Sequence, residues 1–322
     1  MRRVTVAVLA LMLTAVTAHA QAWLPAQGEF TVSFLVSDSF VDRHDLNGLS
    51  DPNSDIDTTT VLADVTWGIH DRLALTVALP LVSSRFLSTG TPPHPTALDN
   101  GSYHTTLTDF RIDLRYNAVN RRNLVITPFA TVVTPSHGYE YFAHAAPGRR
   151  VNELQLGAAV GTTLDQVPGM FVQARYGYGI QEQFLDISHN RSVAAFEGGY
   201  FATPDVRVFG MVSGQWTHGG VDLFPTARLV WPAEQWANHD RITRENFVNV
   251  GGGVGWAIND TVDVFGSYTK AVSARNTHVL DRGIQFGVSL RLQKSALERG
   301  ILNSKGRSLA RCVCQKGLAL KR

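Results

Sequence analysis

Asp109, Arg111, Asp113 and Arg115 stand at every second position of one short segment, acid alternating with base. Side chains in a strand alternate between two faces, so this spacing puts all four on one face, where carboxylates and guanidinium forks can pair. Eight further charges fall on the polar phase of other alternating segments: Glu29, Asp64, Glu153, Arg175, Glu197, Arg207, Asp263 and Arg291. The chemistry open to such a set is electrostatic. Paired with one another, these groups hold strands together; lining a conduit, they select or steer a charged solute. Histidine is the other reactive type. His44, His94, His104, His137, His144, His189, His218, His239 and His278 fall in or beside polar loop stretches, and His70 sits in a short turn. Imidazole ligates transition metals, but no His-x-His or His-x-x-x-His pair occurs. No metal set is therefore assigned, with His137, His144 and His218 the rim candidates at most, and no cofactor is expected.

Charges in phase need strands to hold them in phase. Five short turns, His70-Asp71-Arg72, Asn120-Arg121-Arg122, Asp165-Gln166-Val167-Pro168, Pro204-Asp205 and Asn259-Asp260, separate segments in which every second residue is apolar. Twelve strands are predicted, over 29–37, 58–69, 73–83, 105–118, 123–134, 151–163, 169–182, 191–202, 205–217, 245–258, 261–272 and 282–293. Each is near or above the roughly 9–11 residues that a tilted strand needs to cross a bilayer. Longer polar stretches (38–57, 84–104, 135–150, 183–190, 218–244 and 273–281) alternate with the turns. An even strand number puts both chain ends on one side, so the short turns face the periplasm and the long loops face outward.

Alternation by itself does not say which phase meets water. A soluble sandwich buries the apolar phase, whereas a membrane barrel presents it to lipid and turns the polar phase inward. Export, strand length and aromatic placement favour the barrel. Arg2 and Arg3, the apolar run 4–16 and Ala18-His19-Ala20 have the order of a cleaved signal peptide over 1–20. Trp67, Tyr116, Tyr200 and Trp256 lie on the apolar phase near the short turns, and Tyr176, Tyr178, Trp216 and Tyr268 toward the long loops, as two interfacial belts would. Glycines on the polar phase, among them Gly157, Gly161, Gly177, Gly179, Gly251, Gly253 and Gly255, are expected to leave room inside.

The formal charge of +2 hides a segregation. Residues 21–293 carry 19 basic and 26 acidic residues, net −7, while 294–322 carry eight basic residues and one acid. An acidic body excludes a nucleic-acid partner, which needs a basic footprint. Both cysteines, Cys312 and Cys314, sit in this basic tail, which is expected to be disordered. They are too few for a closed zinc site and too near in sequence for an unstrained disulfide. Gly251–Gly255 lacks the lysine and following helix of a phosphate loop. Ser136-His137 and Ser188-His189-Asn190 bring nucleophile and base types together, yet neighbours on a strand point to opposite faces, and a third, orienting group is needed. Neither segment has the His-x-Ser-Asn arrangement of outer-membrane phospholipases.

Trp23-Leu24-Pro25 with Gly28-Glu29, and Trp67-Gly68-Ile69-His70-Asp71-Arg72-Leu73-Ala74 followed by Leu79-Pro80, resemble bacterial outer-membrane barrels of the transporter family named for the MetA pathway of phenol degradation. Thr108-Asp109-Phe110-Arg111, Pro135-Ser136-His137-Gly138-Tyr139-Glu140 and Asn190-Arg191-Ser192 look similar to the same group. The resemblance covers roughly 23–293 and implies passage of small, hydrophobic or aromatic compounds. The expectation is an all-β, transmembrane, up-and-down antiparallel barrel over 21–293 in the bacterial outer membrane. Its partners would be membrane lipids and small-molecule solutes. It would serve as a channel or passive transporter and not as an enzyme. A surface barrel with a closed lumen and, third, an outer-membrane lipid hydrolase are the alternatives.

Overall fold

The computed structural model describes residues 22–52, 55–87, 96–121 and 123–293. The expected signal peptide, the basic tail with both cysteines, and His94 lie outside the described residues. Within them a single antiparallel sheet closes on itself. Its strands are β1 (Glu29–Leu46), β2 (Leu49–Asp51), β3 (Ile56–His70), β4 (Leu73–Phe86), β5 (His104–Leu107), β6 (Asp109–Tyr116), β7 (Val119–Arg121), β8 (Leu124–Pro135), β9 (Glu153–Thr163), β10 (Met170–Gln181), β11 (His189–Phe201), β12 (Val206–Gly219), β13 (Asn246–Ala257), β14 (Val262–Arg275) and β15 (Thr277–Gln293). β5, β6 and β7 are one wall strand interrupted at Thr108 and at Asn117-Ala118, and β2 is a short return beside the outer end of β1. The wall therefore has twelve staves, and β1 pairs with β15 from Glu29↔Gln293 to Asp45↔Thr277 to close it. Among the described residues no helix is long and apolar enough to cross a membrane, which says nothing against strands doing so.

Burial settles which phase is inside, and it is the polar one. Ser37, Thr58, Thr60, Thr66, Thr76, Thr127, Thr131, Gln155, Gln215, Ser267 and Gln285 are all buried, while Phe286 is 61% exposed and Trp256 53%. This inverts a water-soluble core: the apolar phase meets lipid, so burial of apolar area comes from the membrane and not from packing within the protein. All eight belt aromatics predicted from the sequence are exposed on the outer face. The outer face turns polar again at Asp57, which pairs with Arg85 at 3.0 Å and accepts the Tyr103 hydroxyl. From Trp67 to Asp57 along β3, at ~3.3 Å per residue and a tilt of ~40°, the apolar band is about 25 Å tall, the height of an outer-membrane-type barrel.

Strand phase and order follow the sequence, but the lengths do not. β1 runs nine residues past its predicted end, and β15 begins five before its predicted start, so the expected loops 38–57 and 273–281 are mostly strand. These extensions rise above the apolar band, where neither face needs apolar residues. The alternation that reveals a strand is therefore missing, while β1 and β15 continue to pair with each other up to Asp45↔Thr277. The turn between β14 and β15 shrinks to Asn276, whose φ of +54° is one that asparagine tolerates. The expected loop 218–244 contains three short helices, α1 (Ala227–Val230), α2 (Ala233–Ala237) and α3 (His239–Ile242).

Candidate functional site

The alternating segment on β6 becomes the hub of the interior. Asp113 is buried and takes an ion pair from Arg115 Nε at 3.2 Å and another from Arg175 Nη2 at 2.8 Å, and the Thr131 hydroxyl donates to it as well. Arg175 is on β10, three staves away from β6, so the pair spans a chord of the barrel and not an edge between neighbours. Arg115, only 2% exposed, also donates to Thr76 Oγ1 at 2.8 Å. Arg175 stacks its guanidinium 3.4 Å above the Phe129 ring.

A second cluster lies nearer the outer end. Glu153 on β9 meets Arg191 on β11 at 2.6 Å, past the intervening β10, and Gln155 and Gln181 also donate to it. Arg191 in turn donates to Gln215 Oε1 at 2.6 Å. Arg191 escapes sequence reasoning because it stands at the predicted start of its strand, where the alternation gives no phase, although it shares the polar phase with Glu197. The neutral glutamines were missed because only charge was weighed. Of the other sequence candidates, Arg291 pairs with Asp263 at the short-turn end, where Glu29 is also buried. Asp64 is half-buried and Glu197 buried on the inward phase of their strands. Arg207 lies against Gly255 and beside Phe209. Arg111 is half-buried and, among the described residues, has no ion-pair partner.

The space over the inward glycines is not left open. Phe129 fills the position over Gly157 and Gly177, which face each other across β9 and β10, and Phe209 covers Gly253. Phe171 lies over Gly199, and Phe265 over Gly287. Ala22 and Trp23 occupy the space over Gly161, and Glu153 that over Gly179. The expectation of room inside is thus corrected: a glycine on one stave receives a large side chain from another. Gly157→Ala would drive a methyl into the Phe129 ring and the Tyr176 carbonyl oxygen. It is expected to destabilise the barrel by roughly 1–3 kcal/mol, measured as a lowered urea midpoint in detergent micelles.

Both mouths are covered. At the short-turn end the segment before β1 enters the barrel: the Thr127 hydroxyl donates to the Ala22 carbonyl at 2.6 Å, Ala22 N–H donates to Gln173 Oε1 at 3.3 Å, and Trp23 meets Phe171 edge-on at 6.4 Å. At the long-loop end, Tyr139 donates to Asp109 Oδ1 at 2.5 Å and accepts the Arg150 N–H at 2.8 Å. Burial, reinforced by the Asp109 carboxylate, pushes the Tyr139 phenol well above its ordinary range and keeps it a donor. Arg241 of α3 stacks on Tyr141 at 3.4 Å and Phe184 at 4.4 Å and donates to the carbonyls of Arg149 and Arg150, tying three outer segments together. A cleft of about 380 Å³ opens between them, lined by His137, Arg150, Glu182, Phe184 and Arg241.

The three rim histidines do not converge. His137 contacts Ser136 Oγ at 2.9 Å and Thr106 Oγ1 at 3.1 Å, and His218 contacts Ser192 Oγ at 2.7 Å and stacks on Tyr178. His144 instead joins His44 and His278, with ligand nitrogens of all three within 4.8 Å of one another. Ser136 and His137 do touch, because they lie beyond the end of β8 where strand alternation no longer separates neighbours. The third group on that imidazole is a threonine hydroxyl and not a carboxylate. Ser188 and His189 are not joined: the His189 ring meets the Ile187 carbonyl at 3.3 Å, and Asn190 Oδ1 accepts the Gln181 N–H.

A closed twelve-stave antiparallel barrel, apolar outside and polar inside, with short turns at one end and long loops at the other, is a transmembrane β-barrel of the outer-membrane type. Among solved structures it is similar to the COG4313 outer membrane channel from Pseudomonas putida F1, with a TM-score of 0.64 and 14% identity over 84% of this chain and 97% of that one. At that identity the likeness establishes the fold. Lower similarity is found to the NanC porin (TM-score 0.47, 9% identity, 80% of this chain and 100% of that one). The translocator domain of the autotransporter NalP from Neisseria meningitidis is comparably distant (TM-score 0.47, 12% identity, 83% and 90%). No family model matches the sequence, and no curated protein matches it.

Proposed function

We propose that the protein is an outer-membrane channel that passes small solutes by diffusion, along an interior lined by the charged residues that the sequence singles out. The observation carrying this reading is the polar interior itself. A barrel that served only as an anchor has no need to commit Asp113, Arg115, Arg175, Glu153, Arg191, Asp263 and Arg291 to its inside, where each charge costs desolvation. The solute class we assign is a small aromatic carboxylate. Arg111 offers five N–H donors and makes no ion pair among the described residues, and inward Phe129, Phe171 and Phe209 supply aromatic rings on β8, β10 and β12. This agrees with what the family resemblance implies, and it adds the charge.

A closed-lumen barrel is the second reading, and the chord pairs together with the occupied glycines favour it. Reconstitution in planar bilayers separates the two. A channel gives discrete conductance steps, and in liposomes benzoate uptake that falls on Arg111→Gln. A bilayer that stays impermeable over a range of voltage and solute would end the channel reading.

A further inference from the structure

Residues far apart in sequence assemble three imidazoles in the outer vestibule. His44 on β1 and His278 on β15 are directly opposite each other across the seam that closes the barrel, with ring centroids 4.3 Å apart. His144, from the loop 136–152, completes the group at 5.9 Å from the His278 ring and is itself held by stacking on Phe86 at 4.5 Å. That loop is anchored where His144 lies: Ala145 packs with buried Ile56 and Phe86, and Asp99 accepts the backbone N–H groups of both His144 and Ala145. The cluster is above the lipid-facing band. It lies beyond the outward Lys270–Asp281 pair on the β14–β15 hairpin. His278 Nε2 is buried and has no hydrogen-bond partner. Leaving a buried ring nitrogen unpaired costs free energy that a ligand would recover.

We propose that His44, His144 and His278 form a binding site for a divalent transition-metal ion of the zinc–copper class. Three neutral nitrogen donors without a carboxylate suit such ions and not calcium or magnesium, which require oxygen ligands. Tetrahedral ligation at ~2.0–2.1 Å places ligand nitrogens about 3.3 Å apart, so the present spread of 4.8 Å closes by rotation of the rings about their side-chain torsions. Three imidazoles leave the fourth position of a tetrahedral ion for water or another ligand. The bound ion pins the loop 136–152 to the seam, so it sets how freely the outer mouth opens. The sequence concealed this site because the ligands come from residues 44, 144 and 278, and no two of them have a recognisable spacing.

The test uses the full-length barrel, folded in detergent, free of any oligohistidine tag and stripped with chelator. Isothermal titration with Zn²⁺ and the visible absorption of Co²⁺ are the probes. One ion per barrel is expected, with tetrahedral Co²⁺ bands, and His144→Gln should weaken binding at least roughly 10- to 100-fold. His137→Gln and His218→Gln should leave it unchanged. His144 is in a loop, so its variant retains the barrel, which heat-modified gel mobility verifies; His278→Gln serves as the second ligand variant. Zn²⁺ should also slow proteolysis of the loop 136–152 in the parent and not in His144→Gln. Absence of saturable binding, or binding indifferent to His144→Gln, overturns the proposal. These readouts do not depend on conductance, so the metal site and the channel stand or fall separately.

Discussion

Asp113→Ala is expected to cost the folded barrel about 3–5 kcal/mol, the range for removing one partner of a buried ion pair. The magnitude follows from what remains. Arg115 and Arg175 both lose the Asp113 carboxylate, and Arg111 stands on the same face of β6, so three guanidinium groups share one region of the interior. Arg115 cannot turn to solvent, being almost wholly buried between staves. Urea unfolding in micelles, followed by tryptophan fluorescence, gives the loss directly. Arg175→Met added to Asp113→Ala should recover part of it, because the pair is removed together and Phe129 still has an apolar neighbour to stack on. A loss below about 1 kcal/mol would mean that water reaches the pair freely, as in an exposed ion pair. The same experiment therefore reports how wet the middle of the barrel is.

If the barrel conducts as proposed, deletion of Ala22–Gln27 is expected to raise its unit conductance after reconstitution while hardly changing its stability. The segment is fixed at both ends: Ala22 bonds to Thr127 and Gln173, and the Gln27 N–H donates to Asp71 Oδ1 at 3.1 Å. Between them Trp23 fills the space over Gly161. Ordering six residues costs about 6–12 kcal/mol of conformational entropy. The hydrogen bonds contribute about 1 kcal/mol each and the burial of Trp23 about 2–3. Contacts and ordering thus oppose each other without a large net gain, and the segment's effect is to occupy the mouth at the short-turn end. Single-channel recording checks this: a deletion variant with parental conductance would show that solute passes beside the segment. Gln173→Ala, which removes one of the two hydrogen bonds at the Ala22 end, should give an intermediate conductance with more open-channel noise.

Much of this protein is determined locally, and so can be read without its fold. Turn chemistry at Asp71, Pro168, Asp205 and Asn259 marks strand ends, and the period of two places Glu29, Asp113, Glu153 and Arg175 on one phase. Signals of this kind depend only on each residue's own backbone and its neighbours. That is why strand number and phase are recovered, while the upper halves of β1 and β15, with no membrane to impose alternation, read as loops. The rest depends on curvature. Closing twelve staves curves β6 to within reach of β10, three staves away, so Asp113 meets Arg175 at a sequence separation of 62. It lets Phe129 lie over Gly157 and Gly177, and it gathers His44, His144 and His278 at one seam. Sequence by itself settled which side chains share a face; only the tertiary structure decided which of them touch, because contacts across a lumen are set by the radius of the barrel and the stagger of its strands, and no single strand encodes either.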